Sequence, residues 1–590
     1  MSIDPGGLQP RHFLPLCGTQ ALCLRAAARQ VSPGVPVFWL TDQEPAAIQA
    51  LIPLPSATLA LHVLPARKAP TLLGQDCGLL VFDAFSGFDV NAFAAVSGTL
   101  VGGGTLILLS PPWAEWAGFP DPDYRRFLPW PYTLADVQGR FLARLVRWLP
   151  QAPWSRSGVM PADGLDAASA DLPGVPVAWS ENAPWAGAAN TGSPTPDQQS
   201  AVEAILQAAA PLTLMADRGR GKSAVLGMAA TRLLQQGRTP ILCAPSRQTA
   251  VNVFRHADPA LPFCAPDELL QTLPVADVLL VDEAAAIPVP LLARMVQHYP
   301  HSVFATTVHG YEGSGRGFVL RFQTLLAQQA PGWQALQLEK PLRWAVGDAL
   351  ERWLNRVLLL DVEVVDTVPA NRAVAGVQAA SVGMVPVRLA RERLAQDESL
   401  LQQVFGLLVT AHYQTRPSDL RQLLDAPDLS VHTLLQNERV LAVAVLSREG
   451  GFDPALAQAI HAGQRRPHGH PVPQTLCFHA GLLEAALLHC ERIMRIAVHP
   501  EYQRHGLGCR LLAYLQQYAR QQGADYLGVS YALTPGMQAF WARAGFVLAR
   551  IGQKRDRASG CHSAVSIRPL TAAGQGLAAR CQPAPNARSS

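Results

Sequence analysis

A chain of 590 residues, 49% hydrophobic with a mean hydropathy of +0.11, is globular and has room for three or four domains. Only 16% of it is charged, and a net charge of +4 with a pI near 8.5 permits a nucleic-acid partner without demanding one. Ten cysteines with no C-x-x-C pair argue against a zinc or disulfide framework, and the N-terminus lacks the basic-then-apolar pattern of a secretory signal.

Only four of the 48 basic residues are lysines (Lys68, Lys222, Lys340 and Lys554), so each lysine is informative. In chain order, residues 1–150 read as an α/β domain. LLVFDAF (79–85) is a short apolar strand, and DVNAFAAVSGTL has helical spacing. Val90 to Ala114 is uncharged, but Gly102, Gly103 and Gly104 interrupt it. The expectation is helix, turn and buried strand rather than a membrane span. Residues 151–194 are rich in Pro, Ala, Gly and Ser, as a linker would be.

Residues 195–375 alternate apolar strands with helical segments, the pattern of a parallel, doubly wound sheet. ADRGRGKS (216–223) follows the strand LTLMA and precedes a helix. It fits a phosphate loop whose first glycine is replaced by Ala216. Backbone N–H groups of Gly219, Arg220, Gly221, Lys222, Ser223 and Ala224 would wrap phosphate oxygens. Lys222 would reach the β- and γ-phosphates of ATP or GTP, and the Ser223 hydroxyl would bind Mg²⁺. VLLVDE (278–283) supplies Asp282 for Mg²⁺ and Glu283 to activate the attacking water. TPDQQ (195–199), CAPSRQTA (243–250) and FATTVHGYEGSGRGF (304–318) resemble segments of superfamily 1 helicases. That resemblance implies that Gln198 reads the adenine edge and that Arg343, in PLRW, reaches the γ-phosphate.

Residues 376–560 form a further α/β segment, and 561–590 read as a short C-terminal tail. RIMRIAVHPEYQRHGLG (492–508) resembles the core of GNAT acetyltransferases, with Gln503, Arg504, His505, Gly506, Leu507, Gly508 and Cys509 forming its pyrophosphate loop. The glycines let successive N–H groups approach acetyl-CoA closely. Ile496, Ala497 and Val498 would run beside the pantetheine arm, where a backbone N–H can polarise the thioester carbonyl. FWARAGF (540–546) matches the aromatic ending of that fold, but Trp541 stands where the family often has a proton-donating tyrosine. His499, Glu501 and Tyr531 are then the nearby candidates for acid or base.

With both loops in this order, the whole chain resembles the bacterial tRNA(Met) cytidine acetyltransferases. The resemblance implies N4-acetylation of the wobble cytidine in elongator tRNA(Met), from acetyl-CoA, with ATP or GTP hydrolysis. The missing signal pattern and the glycine-interrupted apolar stretch give the expectation of a cytoplasmic, soluble protein with no membrane partner, acting as a monomer. Arg543 falls where the family contacts CoA, whereas Gly536 stands where relatives carry an acidic residue. Relatives continue past SAVSIRPL (563–570) into a further RNA-binding segment. Two other readings stay open: an ATP-linked acetyltransferase of protein amines, and an RNA-remodelling protein with an inactive acetyltransferase module.

Overall fold

The computed structural model describes residues 8–55, 59–152, 160–161, 194–308, 315–362, 383–411, 415–556 and 559–581. The expected linker thus lies almost wholly outside the described residues, as do 309–314 of the segment FATTVHGYEGSGRGF and the last nine residues. The chain is multidomain α/β, and it divides into two compact units. One comprises Met1–Tyr124, Gln138–Asp361 and Arg416–Leu420; the other comprises Arg125–Val137, Val362–Thr415 and Arg421–Ser590.

The first unit holds two parallel sheets. Strands β1 (His12–Cys17), β2 (Pro36–Leu40), β3 (Ala60–Leu64), β4 (Cys77–Asp83), β5 (Leu100–Ser110) and β6 (Met160–Pro161) lie in the order β3-β2-β4-β5-β1-β6. Every residue of β4 is buried, as expected of a parallel strand covered on both faces. Gly102, Gly103 and Gly104 do not make the expected turn; they lie inside β5. The physical reason is close backbone approach. A Cβ at Gly102 would sit 2.4 Å from the Gln9 carbonyl oxygen, and its N–H donates to the Arg343 carbonyl at 2.6 Å.

The second sheet is built from β7 (Leu212–Ala216), β8 (Pro240–Cys243), β9 (Phe263–Cys264), β10 (Val278–Val281), β11 (Ser302–Thr307) and β12 (Gln334–Leu338), in the order β12-β7-β11-β10-β8-β9. Its two faces carry separate apolar clusters, one around Val225, Ala229 and Leu233 and one around Leu292, Met295 and Phe322. The two sheets are joined within this unit by a buried ion pair: Arg11 Nη2 donates to Asp348 Oδ1 at 2.9 Å, and Arg11 also lies over the Trp344 ring at 3.7 Å.

The second unit has one mixed sheet: β13 (Val385–Leu389), β14 (Leu429–Gln436), β15 (Arg439–Gly450), β16 (His489–Val498), β17 (Tyr526–Ala532), β18 (Val547–Arg555) and β19 (His562–Pro569), ordered β13-β14-β15-β16-β17-β19-β18. Here the sequence reading of a tail at 561–590 needs correction. Strand β19 is inserted between β17 and β18, and the helix Ala572–Arg580 follows it. Val565 and Ile567 of β19 share a core cluster with Leu577 and Ala578 of that helix. Small residues (TAAGQGLAAR) made the helix look featureless in sequence; Thr571, accepting from the Gly574 N–H, caps it.

Candidate functional site

The nucleotide loop is shaped by two glycines in the left-handed region, Gly219 (φ +79°) and Gly221 (φ +81°). The helix Lys222–Gln235 starts directly after Gly221. The first intrahelical bond runs from the Val225 N–H to the Gly221 carbonyl at 3.0 Å, so the N–H groups of Lys222, Ser223 and Ala224 belong to the open first turn. Such a turn, with the positive end of the helix dipole behind it, attracts phosphate. Ala216 ends β7 and is 1% exposed in the apolar cluster beneath the loop. Its Cβ points into packing, which is why the missing first glycine leaves the loop intact.

Three adjacent strand ends converge here. Lys222 Nζ donates to Thr307 Oγ1 at 2.8 Å, and Ser223 Oγ donates to Asp282 Oδ2 at 3.0 Å. Asp282 is fully buried just beyond β10, and Thr307 closes β11. The loop thus brings together Lys222, Ser223 and Asp282, as the sequence anticipated. Glu283 follows with φ +50°, a backbone region costly for a side chain of its size. A hydroxyl and one carboxylate suit magnesium, which keeps waters and phosphate oxygens in its shell. Among the described residues no cluster of three or more His, Cys, Asp or Glu could hold an ion without the nucleotide.

Other expected nucleotide contacts are placed differently. Gln198 Oε1 accepts from the Thr195 N–H at 3.1 Å in a capping box, the reciprocal bond being Gln198 N–H to Thr195 Oγ1. The rest of its amide packs on the loop, since a Cβ at Gly221 would lie 2.4 Å from Gln198 Nε2. Arg220 turns its side chain away from the loop mouth, donating to both Glu351 carboxylate oxygens at 2.5 and 3.1 Å. Arg343 does not face the loop: its Nε stands 3.0 Å from Asp76 Oδ1, and Nη1 donates to the Gly98 carbonyl at 2.9 Å. The backbone beside it is nonetheless tied to the loop, because the Leu342 N–H donates to the Gly219 carbonyl at 2.9 Å. Sequence reading missed Thr307, Glu351 and Asp76. Only Thr307 left a signal, as a hydroxyl at the C-terminal end of an apolar parallel strand, where ligands of such sheets gather.

The segment expected from sequence to hold acetyl-CoA lies where β16 and β17 part. They pair in parallel only from Cys490–Tyr526 to Ile493–Val529. Beyond that, β16 continues against β15 and β17 continues against β19. A register shift opposite Val445 and Leu446 leaves Met494 as an extra residue, a bulge that bends β16. Ile496 and Val498 therefore turn backbone N–H groups away from β15 into the gap, able to pair with the amides of an extended ligand arm, while Ala497 between them pairs with Val443 of β15. Gly506 (φ +81°) starts the helix Leu507–Gln521, and a Cβ there would meet nothing within 4 Å, as an open ligand cradle requires. Gly508 is different: a Cβ would press on Phe540 at 3.3 Å. Gln503 Nε2 donates to the Val498 carbonyl at 3.2 Å and fixes the loop entry, with Arg504 at φ +65° and His505 following. Cys509 and Arg543 are exposed; Arg543 Nε reaches only its own helix, at Ala539 O.

The three acid–base candidates split between two places. His499 is 3% exposed, with Nε2 3.3 Å from Arg439 Nη2 and Nδ1 3.9 Å from Glu501 Oε2. Glu501 Oε2 also accepts from Arg439 at 3.4 Å, so His499, Glu501 and Arg439 brace the turn before the loop. Tyr531 lies on β17 past the parting point, its hydroxyl 3.1 Å from Ser566 Oγ and its ring 6.0 Å from Trp541. Trp541 is 2% exposed, packed against Phe540 and Phe546, and its Nε1 has no hydrogen-bond partner. A titratable group the sequence reading missed is Glu491 on β16. Burial raises its carboxyl to about 7, against the lowering pull of Arg448 and Arg388.

Residues 9–155 match the N-terminal domain of tRNA(Met) cytidine acetyltransferase TmcA. Residues 213–361 match the helicase domain of RNA cytidine acetyltransferase NAT10/TcmA, and 403–525 with 519–571 match GNAT acetyltransferase 2. The tRNA(Met) cytidine acetyltransferase TmcA of Nitrosococcus halophilus is 43% identical over 97% of this chain and 77% of its own length. Its namesake in Vibrio cholerae is 38% identical over 85% of this chain and 67% of its own, and that of Citrobacter koseri 36% over 97% and 78%.

Proposed function

The chain belongs to the tRNA(Met) cytidine acetyltransferase family, and on that premise we propose that it moves an acetyl group from acetyl-CoA to N4 of the wobble cytidine of elongator tRNA(Met). It is an acetyltransferase acting on a tRNA(Met) cytidine, with a helicase-type nucleotide module. The observation that carries the finer reading is the pairing of a complete phosphate loop (Lys222 on Thr307, Ser223 on Asp282) with a parted β16–β17 edge in one chain.

The chemistry gives each part a task. A thioester is already activated, so ATP is not needed to energise the acetyl group. The cytosine amine is the difficulty: its lone pair is delocalised into the ring, and positioning it supplies much of the rate. A loop base must also be presented to a pocket. Nucleotide binding and hydrolysis at Lys222, Ser223, Asp282 and Glu283, with Mg²⁺ neutralising phosphate charge when bound, drive that presentation. Arg343, one residue beyond the backbone bond to Gly219, must release Asp76 and Gly98 before it can serve the γ-phosphate. On the acetyl side, backbone N–H groups around Ile496 to Val498 polarise the thioester carbonyl, and the loop Gln503–Cys509 holds the pyrophosphate with Arg543 alongside. Tyr531 is the candidate nearest the parting of the strands for protonating the leaving thiolate.

The reading places the protein in the cytoplasm as a monomer. In support, none of the ten cysteines forms a disulfide, and no helix among the described residues is long and apolar enough to cross a membrane.

Nucleoside mass spectrometry of tRNA from a deletion strain tests the activity: N4-acetylcytidine in tRNA(Met) disappears, and its persistence refutes the reading. Purified Lys222→Ala protein tests the role of the nucleotide. It loses ATP hydrolysis and acetylates tRNA at a small fraction of the wild-type rate; full acetylation without hydrolysis would remove ATP from the mechanism.

A further inference from the structure

The segment between β15 and β16 is a lobe of short helices, including Pro454–His461, Pro471–Gln474 and a π-helical turn Thr475–His479. π-Helical turns are rare and recur at functional sites. This one presents Phe478, half exposed at 50%, and exposed His479. Phe478 is not a loose side chain: a Cβ added at Gly463 would fall 2.7 Å from its ring, so the ring lies directly on the glycine backbone. That leaves a supported aromatic surface facing solvent.

Basic residues surround it. Leu476 of the turn shares an apolar cluster with Val565 and Ile567 of β19, with Ala549 of β18 packed against it. Arg550, the next residue of β18, thereby comes beside the turn. Burial and the positive charges of Arg550 and Arg466 lower the pKa of His479, so both guanidinium groups are close enough for their charge to act there. Arg466 belongs to a loop fixed from several sides. Gln474 Nε2 donates to the Pro467 and Gly469 carbonyls at 2.9 and 2.5 Å, and the Trp130 N–H donates to the His468 carbonyl at 3.0 Å.

An exposed aromatic face flanked by arginines matches single-stranded RNA, whose unstacked bases need a platform and whose phosphates need cations. Protein interfaces also concentrate aromatic and arginine side chains, and it is the tRNA(Met) relatives that decide for RNA here. In the strand order β16-β17-β19-β18, β18 is two strands from β17, roughly 10 Å from the edge of the acetyl-donor gap. We propose that Phe478, with Arg466, His479 and Arg550, is the docking site for the unpaired anticodon-loop nucleotides of the substrate RNA. Phe478 stacks a base next to the acetylated one, and the arginines hold the flanking phosphates. This rests on the tRNA reading above.

Fluorescence anisotropy with the full chain tests it, using a labelled tRNA(Met) anticodon stem-loop and a blunt RNA duplex of equal length. Phe478→Ala weakens stem-loop binding about 5- to 150-fold, the range for loss of one base–aromatic stack, and leaves the duplex unchanged. Phe478→Trp restores the affinity. Arg466→Ala with Arg550→Ala lowers the slope of log K against log salt by about 1.4, for two single-strand phosphate contacts. Wild-type affinity and slope in the variants, while the wild type acetylates tRNA(Met), overturn this docking site alone. Equal losses on loop and duplex overturn the stacking role. A wild-type chain that neither binds the stem-loop nor acetylates tRNA overturns both this site and the function it rests on.

Discussion

Glu491 and His432 show how buried single residues set a pH profile. Glu491 is 5% exposed and protonates at about 7 in the fold, against an ordinary 4.5. Below about 4.5 it is neutral in both states. Between 4.5 and 7 the unfolded chain ionises it and the folded chain does not, so stability falls as pH rises, by a total on the order of 3 kcal/mol. His432 is fully buried between Tyr514 and Tyr518, with Nε2 2.9 Å from Ser430 Oγ, and burial lowers its pKa to about 3. It acts with the opposite sign: stability falls as pH drops from 6.5 toward 3. In the shared window the two slopes oppose. Glu491→Gln removes one, so the variant gains stability with rising pH from 4.5 to 6.5 more steeply than the wild type. Chemical denaturation across that range measures the difference, and parallel curves would contradict the assignment.

The loop between β7 and the helix Lys222–Gln235 makes distinct predictions for its two small residues. Gly221→Ala forces a side chain into φ +81° and drives a Cβ to 2.4 Å from Gln198 Nε2 and 2.5 Å from Leu342 Cδ1. The left-handed region alone costs about 1–2 kcal/mol, so ATP affinity falls by about 5- to 30-fold or more, readable by titration with a fluorescent nucleotide. Ala216→Gly makes the motif match its usual pattern yet gains nothing. It removes a buried Cβ from a strand and costs about 0.5–1 kcal/mol of stability with ATP affinity unchanged. Tighter ATP binding in that variant would show that the first glycine matters here. Both elements were readable from sequence, because the strand–glycine–helix pattern is local. The capping box at TPDQQ was readable too, but a Gln three residues after Thr signals a helix start as well as an adenine contact, and only the fold assigned the Oε1 bond to Thr195.

Across the first unit, the buried pair of Arg11 and Asp348 links residues 337 positions apart in the chain. Arg11→Met leaves Asp348 charged and unpaired in the interior, and costs about 3–5 kcal/mol. A drop in melting temperature checks this, and ATP affinity falls with it, because Arg11 stacks on Trp344, which lies against Gly219 of the nucleotide loop. Arg343 lies in the same junction, and its bonds to Asp76 and Gly98 connect the two sheets of that unit. By itself the sequence determined the α/β class, the two cofactor loops, the Lys222–Ser223–Asp282 set and the family, since these depend on short-range patterns: apolar runs, glycines where backbone must approach phosphate, polar residues at strand ends. Only the tertiary structure decided that Arg343 and Arg220 turn to carboxylates, that the glycine run at 102–104 stays in a strand, that 562–580 completes a sheet and that Phe478 lies among arginines. Those depend on which distant residues fold against one another, and a guanidinium or a small-residue helix carries no mark in sequence of the partner it will meet.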